Sequence, residues 1–385
     1  MGRLIDQSDG LAVYGGSLVR QLLQLDPDSR YVLFLASPTA ARLFSDLPNA
    51  EPHVIACRSR LLWDQVLIPR LARRLGVDLL FNPKFSLPLL SRLPGIFIIQ
   101  SCDWYVNPRN YPWWDNIYIR VMLPLYCHKA REVLAISQAA LDELIRRTGL
   151  DFPCTGITHA GVGSRFNAVP DAAELRQFRG EYNLPERFIL TVGRVLHTGL
   201  EGMPEYPGGN NERLLRAYRE YRRRAPEPLP LVVVGKRVQD YLRARGFTRE
   251  SLEGVQFLGF IPHERLHAAY QLADCFVLAT LCESFGLPIL EALATGCPAI
   301  VPNTCAGPEV AAGAARLIDP LSEEELTVAL LEVTGSAALR ERMRRAGLER
   351  AKRFGWTQAA RKVLDSIDRV LAARSLETRV AALRR

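Results

Sequence analysis

The sequence predicts an α/β protein made of two doubly wound parallel-sheet halves. Short apolar runs of strand length alternate with amphipathic stretches of helix length, and the alternation begins again near residue 187. The chain has 385 residues, which is more than a single hydrophobic core usually serves. Its hydrophobic content of 48% and charged content of 23% are typical of a globular protein. Together these observations predict two domains of one architecture.

The elements of the first half follow from the same pattern. We expect helices in "GGSLVRQLLQL" and "LLWDQVLIPRLARRLG", whose apolar residues recur at helical spacing. The predicted strands are 30–36, 77–83, 95–101, 132–137 and 155–161. Buried strands separated by such helices indicate a parallel sheet that is covered on both faces.

The second half repeats this order. The predicted strands are 187–194, 230–236, 255–260, 275–280, 297–302 and 315–320, with helices such as "NERLLRAYREYRRRA" between them. We place the domains at 1–168 and 180–358, with a linker near 165–185. The basic, amphipathic region 336–385 ends in a helix over about 360–385 that we expect to pack back on the first domain. Open α/β sheets bind ligands at the carboxyl ends of their strands, which predicts a ligand between the two domains.

The net charge and the cysteines limit the possible partners and the cellular compartment. The net charge of +8 is compatible with nucleic acid, an anionic membrane surface or phosphorylated substrates as partners. The chain has no helix-turn-helix or aromatic-basic RNA motif, so nucleic acid is the weaker option. No apolar run approaches the ~18 residues that span a bilayer, and the first residues lack a signal-peptide pattern. The eight cysteines are scattered, so we expect reduced thiols, no zinc site and a cytoplasmic protein.

The stretch "LCESFGLPILEALATGCPAIV" carries the chemistry. Glu283 follows an apolar strand, Pro288 suits the first turn of a helix and Gly296 suits its end. These residues predict a strand-to-helix loop at "ESFGL" and place Glu291 in the first turn of the helix. The backbone N–H groups of Ser284, Phe285, Gly286 and Leu287 would form an anion site at the helix start.

Two carboxylates beside an anion site fit a molecule with a polyhydroxyl ring on each side of a diphosphate, since carboxylates accept hydrogen bonds from hydroxyls. Sugar nucleotides have this layout. Taken alone, the pair favours a simpler interpretation, in which Glu291 complements a helix dipole and Glu283 is a solvated loop residue.

The residues from Glu283 to Pro320 resemble the C-terminal signature of the GT4-type retaining glycosyltransferases, which have the GT-B fold of two Rossmann-like domains facing across a cleft. "LTVGR" and "VQFLGFIPHERLHAAYQLADCFVLAT" are similar to the segments that precede this signature in the family, and "FGWTQAARKVL" resembles its closing helix. "EVLAISQAALDELI" and "HAGVGSRF" align more loosely. The resemblance covers most of the chain. It implies hexosyl transfer from a nucleotide sugar, UDP- or GDP-linked, to a sugar or lipid-linked glycan acceptor in polysaccharide or glycoconjugate assembly, without a metal or other cofactor.

The resemblance also implies roles for single residues. Glu291 would bind the ribose of the donor, and Glu283 would contact the transferred sugar. Arg194 would bind the diphosphate and stabilise the leaving nucleotide. The catalytic residues implied are Glu283, Arg194 and Asp103, and the donor-binding residues are Glu291, Ser284, Phe285, Gly286, Leu287, Gly193, Lys236, Gly10 and Ala12. The first domain would then be the acceptor side and the second the donor side.

Three departures from the family pattern leave a second hypothesis open. The lysine that usually follows Arg194 is absent, and Gly199 or Gly209 stands there, so Lys236 or His197 would take over its role. Cys102-Asp103 stands where a His-Asp pair is common, and Ala12 replaces a glycine in the predicted loop "GLAVYGG", where a Cβ would crowd a phosphate. The alternative is a non-catalytic relative that binds a sugar nucleotide or a partner enzyme.

Further residues remain open between function and packing. His159 lies near the expected cleft, whereas His128 suits a structural or surface role. The aromatic segment 104–114 fits either sugar or lipid contacts or simple packing. Arg70, Arg73 and Arg74 form the basic face of a helix, which is either a solvated surface or a site for docking to an anionic membrane.

Overall fold

A computed structural model describes residues 10–57, 59–106, 108, 111–152, 154–193, 195–196, 206–207 and 210–383. The chain forms two compact units. The first is built from residues up to Pro108, from Trp113–Gly161 and from the segment that starts at Gly355. The second consists mainly of Val162–Phe354. No helix among the described residues is long and apolar enough to cross a membrane.

The first unit contains two parallel sheets. Its strands are β1 (Tyr31–Leu35), β2 (Ala50–Val54), β3 (Leu80–Asn82), β4 (Gly95–Ile99), β5 (Glu132–Ala135) and β6 (Cys154–Ile157). Strands β1 and β2 form a pair, and the other four follow each other in chain order across a second sheet. All five strands predicted for this half are confirmed, and β2 was missed. Its sequence, "AEPHV", holds a glutamate, a proline and a histidine, which is compatible with a strand that has one neighbour.

The second unit contains a six-stranded parallel sheet. Its strands, with those of a short antiparallel pair, are β7 (Ile189–Val192), β8 (Val195–Leu196), β9 (Tyr206–Pro207), β10 (Leu231–Val234), β11 (Val255–Gly259), β12 (Cys275–Val277), β13 (Ala299–Pro302) and β14 (Arg316–Ile318). The sheet order is β11-β10-β7-β12-β13-β14, and β8 pairs with β9. The six strands predicted here are confirmed. The strands β7, β10, β12 and β13 are almost wholly buried, as expected for a sheet that is covered on both faces.

Helices connect these strands and cover the sheets. They are α1 (Gly10–Leu25), α2 (Pro38–Arg42), α3 (Arg60–Leu62), α4 (Ile68–Arg74), α5 (Asp103–Val106), α6 (Trp113–Lys129), α7 (Gln138–Thr148), α8 (Ala172–Glu181), α9 (Asn211–Arg224), α10 (Val238–Ala244), α11 (His263–Leu272), α12 (Leu287–Ala294), α13 (Gly307–Ala311), α14 (Glu323–Gly335), α15 (Ala337–Ala351) and α16 (Trp356–Leu383). A 3-10 turn spans Ser164–Asn167.

The helix predicted over 61–76 is interrupted. A π-helical segment, Trp63–Leu67, separates α3 from α4, and the N–H of Ile68 donates to the carbonyl of Trp63, five residues back. Pro69 follows at once. Proline has no N–H, and its ring clashes with the carbonyl four residues earlier, so the regular ladder cannot continue through this position. The sequence pattern showed the apolar face but not this change of helix type.

Helix α16 packs in the first unit. It lies against α1, and the Arg369 guanidinium donates to the Glu132 carboxylate at the start of β5, with Nη2 2.8 Å from Oε2. Lys362 Nζ donates to the carbonyl of Ile157 at 2.7 Å. The Trp356 ring meets the Tyr14 ring edge-on, with the centroids 5.6 Å apart. The last helix therefore completes the first unit, although the second unit precedes it in the sequence.

Candidate active site

The strand order of the second unit defines where a ligand binds. Strand β7, the first strand of the sheet in the chain, lies between β10 and β12, so the chain extends the sheet in one direction before β12 and in the other from β12 onward. The carboxyl ends of β7 and β12 therefore meet at a topological switch point, which is where doubly wound sheets bind nucleotides. Gly193 follows β7 there, and the loop with Glu283 follows β12.

The β12–α12 loop, residues 278–286, turns sharply into helix α12. Gly286 caps the helix with φ 82°, and a Cβ on it would lie 2.8 Å from Cδ1 of Ile289, so the position requires glycine. Pro288 occupies the first turn, as predicted. Phe285 is buried, with its ring 5.8 Å from that of Phe354, whereas Glu283 and Ser284 are half-buried. The loop thus has a fixed anchor beside two accessible polar residues.

A disulfide holds this loop from the other side. Cys282 bonds to Cys305, and the N–H of Ala306 donates to the carbonyl of Glu283 at 3.0 Å. The expectation of eight reduced thiols is therefore wrong for this pair. The two cysteines are 23 positions apart in the sequence, but they follow the neighbouring strands β12 and β13, so their loops meet at the same sheet edge. The other six cysteines are free thiols.

Glu291 lies behind the loop and is only 4% exposed. It is the fifth residue of α12 and therefore sits in the second turn, not in the first turn as predicted, because the helix already begins at Leu287. His263 Nε2 lies 2.7 Å from Oε1 of Glu291, and the Tyr270 hydroxyl donates to Oε2 at 3.1 Å. Each carboxylate oxygen thus has one partner from helix α11.

The environment of Glu291 shifts the pKa values of both partners. Burial lowers the pKa of His263, but the hydrogen bond and the charge of Glu291 outweigh it, and the pKa is raised. Burial, together with the nearby Glu291 charge, raises the pKa of Tyr270 well above its ordinary value. The phenol of Tyr270 therefore stays protonated and donates to Glu291.

Sequence analysis missed His263 and Tyr270 as site residues. A usable signal existed: the two positions are seven apart in a helix, which places both side chains on one face. That face packs on α12 near Glu291. Their relation to Glu291 depends on the packing of two helices, which the sequence alone does not give.

Gly193 and Lys236 lie at the same edge of the sheet. The N–H of Gly193 donates to the carbonyl of Val234 at 2.9 Å, and a Cβ on Gly235 would come within 1.6 Å of the Gly193 oxygen. Gly235, with φ 156°, thus allows the two chain segments to approach closely. Lys236 is exposed beside them, with Nζ 4.3 Å above the Phe260 ring. Arg194, His197, Gly199 and Gly209 lie outside the described residues.

The remaining predicted residues belong to the first unit. Asp103 begins α5 after β4, and its N–H donates to Ser101 Oγ at 3.1 Å. Gly10 and Ala12 lie in helix α1, so the predicted glycine loop is wrong. The segment is helical because Tyr14, Leu18 and Leu22 recur at helical spacing and are buried.

Apart from Arg194, the structure therefore brings together the site residues predicted in the second unit. Glu283, Ser284, Phe285, Gly286, Leu287 and Glu291 share one loop and helix, and Gly193 and Lys236 lie at the same strand ends. The arrangement offers two carboxylate acceptors, a helix start and one exposed ammonium group. This combination can hold hydroxyl groups beside a negatively charged group.

Two α/β units, one with the strand order of a nucleotide-binding sheet, define the class of protein, and solved structures share this architecture. A glycosyltransferase from Rickettsia africae has a TM-score of 0.75 at 16% identity, covering 96% of this chain and 97% of its own. HepE from Anabaena in complex with UDP has a TM-score of 0.71 at 16% identity, covering 92% and 96%. WaaG, a glycosyltransferase involved in lipopolysaccharide biosynthesis, has a TM-score of 0.66 at 14% identity, covering 94% and 97%. The fold is therefore GT-B.

Sequence comparisons find similarity to glycosyltransferases. Residues 207–350 match the model of the "Glycosyl transferases group 1" family. The serotype-specific mannosyltransferase WbdA of Escherichia coli is 26% identical over 248 residues, or 63% of this chain. The O-antigen chain mannosyltransferase B of Escherichia coli is 27% identical over 290 residues, which are 74% of this chain and 72% of that protein. Residues 207–350 are therefore similar to the group 1 glycosyltransferases, in agreement with the resemblance of the sequence.

The match to WbdA is partial. This chain spans 29% of the length of that relative. The uncharacterized glycosyltransferase MJ1607 of Methanocaldococcus jannaschii is 32% identical over 190 residues, which are 49% of this chain and 46% of that protein.

Proposed function

We propose that the protein transfers a sugar from a nucleotide-sugar donor to an acceptor hydroxyl, as a retaining hexosyltransferase of the GT4 type, in polysaccharide or glycoconjugate biosynthesis. The β12–α12 loop carries this proposal. It places Glu283 and the start of α12 at the switch point of a nucleotide-binding sheet, with Glu291 one turn into the helix. Loop and helix lie inside the part of the chain that matches the family.

The donor would lie along this loop. We assign the ribose to Glu291, the transferred sugar to Glu283 and the diphosphate to the backbone from Ser284 to Leu287. A carboxylate has about four lone-pair sites. Since His263 and Tyr270 contact one oxygen each, further sites remain for the two ribose hydroxyls. The two partners from α11 would thus hold Glu291 in place for the donor.

Cations and small residues at the neighbouring strand ends complete the proposed site. Lys236 is exposed there, in support of a role as partner of the diphosphate in place of the missing lysine. Arg194 follows Gly193 directly in the sequence and would neutralise charge on the leaving nucleotide. From the first unit we retain Asp103 as a catalytic residue, and Gly10 and Ala12 as donor-binding residues. The proposed chemistry uses no metal or other cofactor.

For the sugar we propose mannose, because the names of WbdA and of the O-antigen chain protein describe mannosyltransferases. We propose a sugar or lipid-linked glycan as acceptor, reached at the cytoplasmic face of a membrane. The phosphatidyl-myo-inositol mannosyltransferase of Mycobacterium leprae, 27% identical over 141 residues, is named for a lipid acceptor. Exposed arginines on α4, Arg70, Arg73 and Arg74, are compatible with a peripheral position at an anionic surface.

A donor panel tests the proposal. The purified protein is heated with UDP- and GDP-linked glucose, galactose and mannose, and the preferred donor is then incubated with glycan acceptors. We expect a GDP- or UDP-linked mannose to stabilise the fold by about 2.7 kcal/mol at a hundredfold excess over its dissociation constant. The product should keep the anomeric configuration of the donor by NMR.

Two outcomes contradict the proposal in different ways. Stabilisation by a donor without hydrolysis or transfer to any acceptor would identify a non-catalytic sugar-nucleotide-binding relative. If no nucleotide sugar stabilises the protein, the proposed donor site does not bind nucleotide sugars.

A further inference from the structure

Helix α6 is apolar on two opposite faces. One face packs in the first unit, where Ile119, Leu123, Tyr126 and Cys127 are buried. A helix that buries one face in a protein normally shows charged and polar residues on the other. Helix α6 departs from this pattern, so its outer face needs a separate explanation.

The outer face carries large apolar side chains in a row. We call this set the α6 face; its members and exposed fractions are Trp113 (66%), Trp114 (44%), Ile117 (54%), Val121 (55%) and Leu125 (46%). Trp113, Ile117, Val121 and Leu125 recur every four positions, which places them in one stripe along the helix. Single exposed apolar residues are ordinary on a protein surface, but a contiguous row of this kind marks an interaction site.

The charges around the α6 face are basic. Arg120 and His128 are exposed on the same side of the helix, and Asp115, the acidic residue of α6, is half-buried. The segment 61–74, which includes α4, exposes Arg70, Arg73 and Arg74 and buries its acidic residue, Asp64. It lies beside α6, because Gln65 Nε2 is 3.5 Å from the Tyr126 hydroxyl.

The same glutamine brings further exposed apolar residues close to α6. Gln65 Oε1 accepts from the N–H of Leu89 at 2.8 Å, and Leu90, the next residue, is 88% exposed. Leu61 and Leu62, one turn before Gln65, are also exposed. The apolar stripe therefore has apolar and basic neighbours from two other segments.

We propose that the α6 face docks onto the surface of an anionic phospholipid bilayer, with the helix lying in the plane of the interface. Helices that lie in the membrane interface combine tryptophan and aliphatic side chains with basic residues. The apolar side chains enter the acyl boundary, and the cations contact the lipid headgroups. This inference rests on the proposed function and extends it. Docking through the α6 face would hold the enzyme where a lipid-linked acceptor is presented.

The charges favour lipid over a second copy of the chain. A two-fold contact between two α6 faces would bring Arg120 and the neighbouring arginines of both copies together, and like charges repel. An anionic lipid surface instead complements Arg120 and the exposed arginines of α4. The apolar row and the arginines around it therefore favour an anionic bilayer over a second copy of the chain.

Vesicle binding tests the inference with the full-length protein and without any donor, so the result does not depend on transfer activity. The probe is a vesicle of phosphatidylethanolamine containing phosphatidylglycerol, with pure phosphatidylcholine vesicles for comparison. We expect sedimentation with the anionic vesicles, and about tenfold weaker partitioning for Ile117→Asn combined with Val121→Asn. The matched control is Val169→Asn with Leu321→Asn, two exposed apolar residues of the second unit that should leave binding unchanged.

Tryptophan fluorescence adds a direct measure of insertion. Brominated lipid in the anionic vesicles should quench the emission of Trp113 and Trp114, and the quenching should disappear in Trp113→Phe with Trp114→Phe. Thermal unfolding of each variant shows that it is folded, as expected for exposed positions.

Three results would overturn the inference. They are equal binding by the α6 variant and its control, equal binding to phosphatidylcholine, and a dimer that dissociates on Ile117→Asn with Val121→Asn. None of these results affects the donor panel, so the proposed function could be correct even if the protein does not bind vesicles. Conversely, vesicle binding would remain valid even if no donor in the panel stabilised the protein.

Discussion

Glu291 has two neighbours from α11, and the pKa of one of them, His263, is raised. His263 Nε2 contacts one carboxylate oxygen at 2.7 Å, and Tyr270 donates to the other. The other groups that act on the imidazole are the carboxylate of Glu264 and the Phe166 ring, whose centroid lies 5.2 Å away. Burial opposes the charge on His263, and Glu291 is the main group that favours it, so the two residues act as one unit.

A pH-dependent stability follows from this pair. The pKa of His263 is raised from its ordinary value of 6.5, so folding favours the protonated ring. The stabilisation is fully present below pH 6.5 and is lost as the pH rises through the raised pKa. We expect His263→Gln to lower the free energy of unfolding more in acidic than in alkaline buffer, by urea denaturation. The exposed His128→Gln is the control, and an equal loss at both pH values would show that His263 does not gain a proton on folding.

The residues of the site differ in how well the sequence alone predicts them. Glu283, Glu291 and the Gly286 turn could be read from their spacing, because a strand, a tight turn and a helix follow each other within a few residues. His263 and Tyr270 could not be assigned to Glu291, since their approach depends on the packing of α11 on α12. The Cys282–Cys305 bond was not predicted for a similar reason, because it joins two loops that only strand pairing brings together.

At the scale of elements, the β12–α12 loop is a constrained connection. Its helix end is fixed by Gly286, and its strand end is tied to the loop after β13 by the disulfide and by the Thr304 hydroxyl, which donates to the carbonyl of Leu281 at 2.8 Å. The proposed donor site therefore lies on a segment with little freedom to move. Such restraint favours catalysis, because acceptor groups must be in place before the donor arrives.

Reduction of the disulfide should loosen this loop. The bond closes a loop with a sequence separation of 23, which corresponds to roughly 3 kcal/mol of stability in the chain-entropy model. We expect a thiol reductant to lower the free energy of unfolding by an amount of this order and to weaken donor binding. Guanidinium unfolding with and without reductant measures the change. The variant Cys282→Ser with Cys305→Ser should be insensitive to reductant; the same response in this variant would assign the effect to other cysteines.

Elements were predictable where the hydrophobic pattern was strong. The buried parallel strands form continuous apolar runs, and all eleven predicted strands are present. Strand β2 was missed because a glutamate, a proline and a histidine interrupt its apolar residues, and the short pair β8–β9 carries no apolar run. The π-helical segment Trp63–Leu67 escaped because its cause, Pro69, interrupts hydrogen bonds without interrupting the apolar face.

At the scale of the whole molecule, the chain leaves the first unit after Gly161 and returns to it at Gly355. These two points lie against each other: a Cβ on Gly161 would fall 2.4 Å from the backbone nitrogen of Trp356. From there α16 runs over α1 and reaches Glu132 through Arg369. The last helix and the start of the chain therefore share one core, and the stability of the first unit depends on the carboxyl-terminal segment.

This contact predicts an effect of a single methyl group. Gly161→Ala should lower the free energy of unfolding by about 1 to 3 kcal/mol, because backbone atoms, unlike side-chain ends, cannot easily give way. Gly163→Ala is the matched control, since the nearest atom to its Cβ, in the Phe166 ring, is 3.8 Å away. Calorimetry measures both variants. If Gly161→Ala is as stable as Gly163→Ala, the Gly161–Trp356 approach does not hold the last helix in place.

The strand order could not be read from the sequence. The alternation of strands and helices predicted doubly wound sheets, yet many strand orders satisfy that alternation. The observed order in the second unit places β7 beside β12, and this pairing brings Gly193 to the same edge as the Glu283 loop. The family resemblance supplied the site, and the topology explains physically why its residues converge.

The steady-state kinetics of two carboxylate variants test the central claim most directly. With the preferred nucleotide sugar, Glu291→Gln should raise the donor KM about 30-fold with a smaller change in kcat, since it weakens ribose binding in ground and transition states alike. Glu283→Gln should lower kcat about a hundredfold at nearly unchanged KM, since it acts beside the reacting sugar. Glu349→Gln, an exposed carboxylate paired with Lys352, should match the wild type. Wild-type KM and kcat in both site variants would contradict the account.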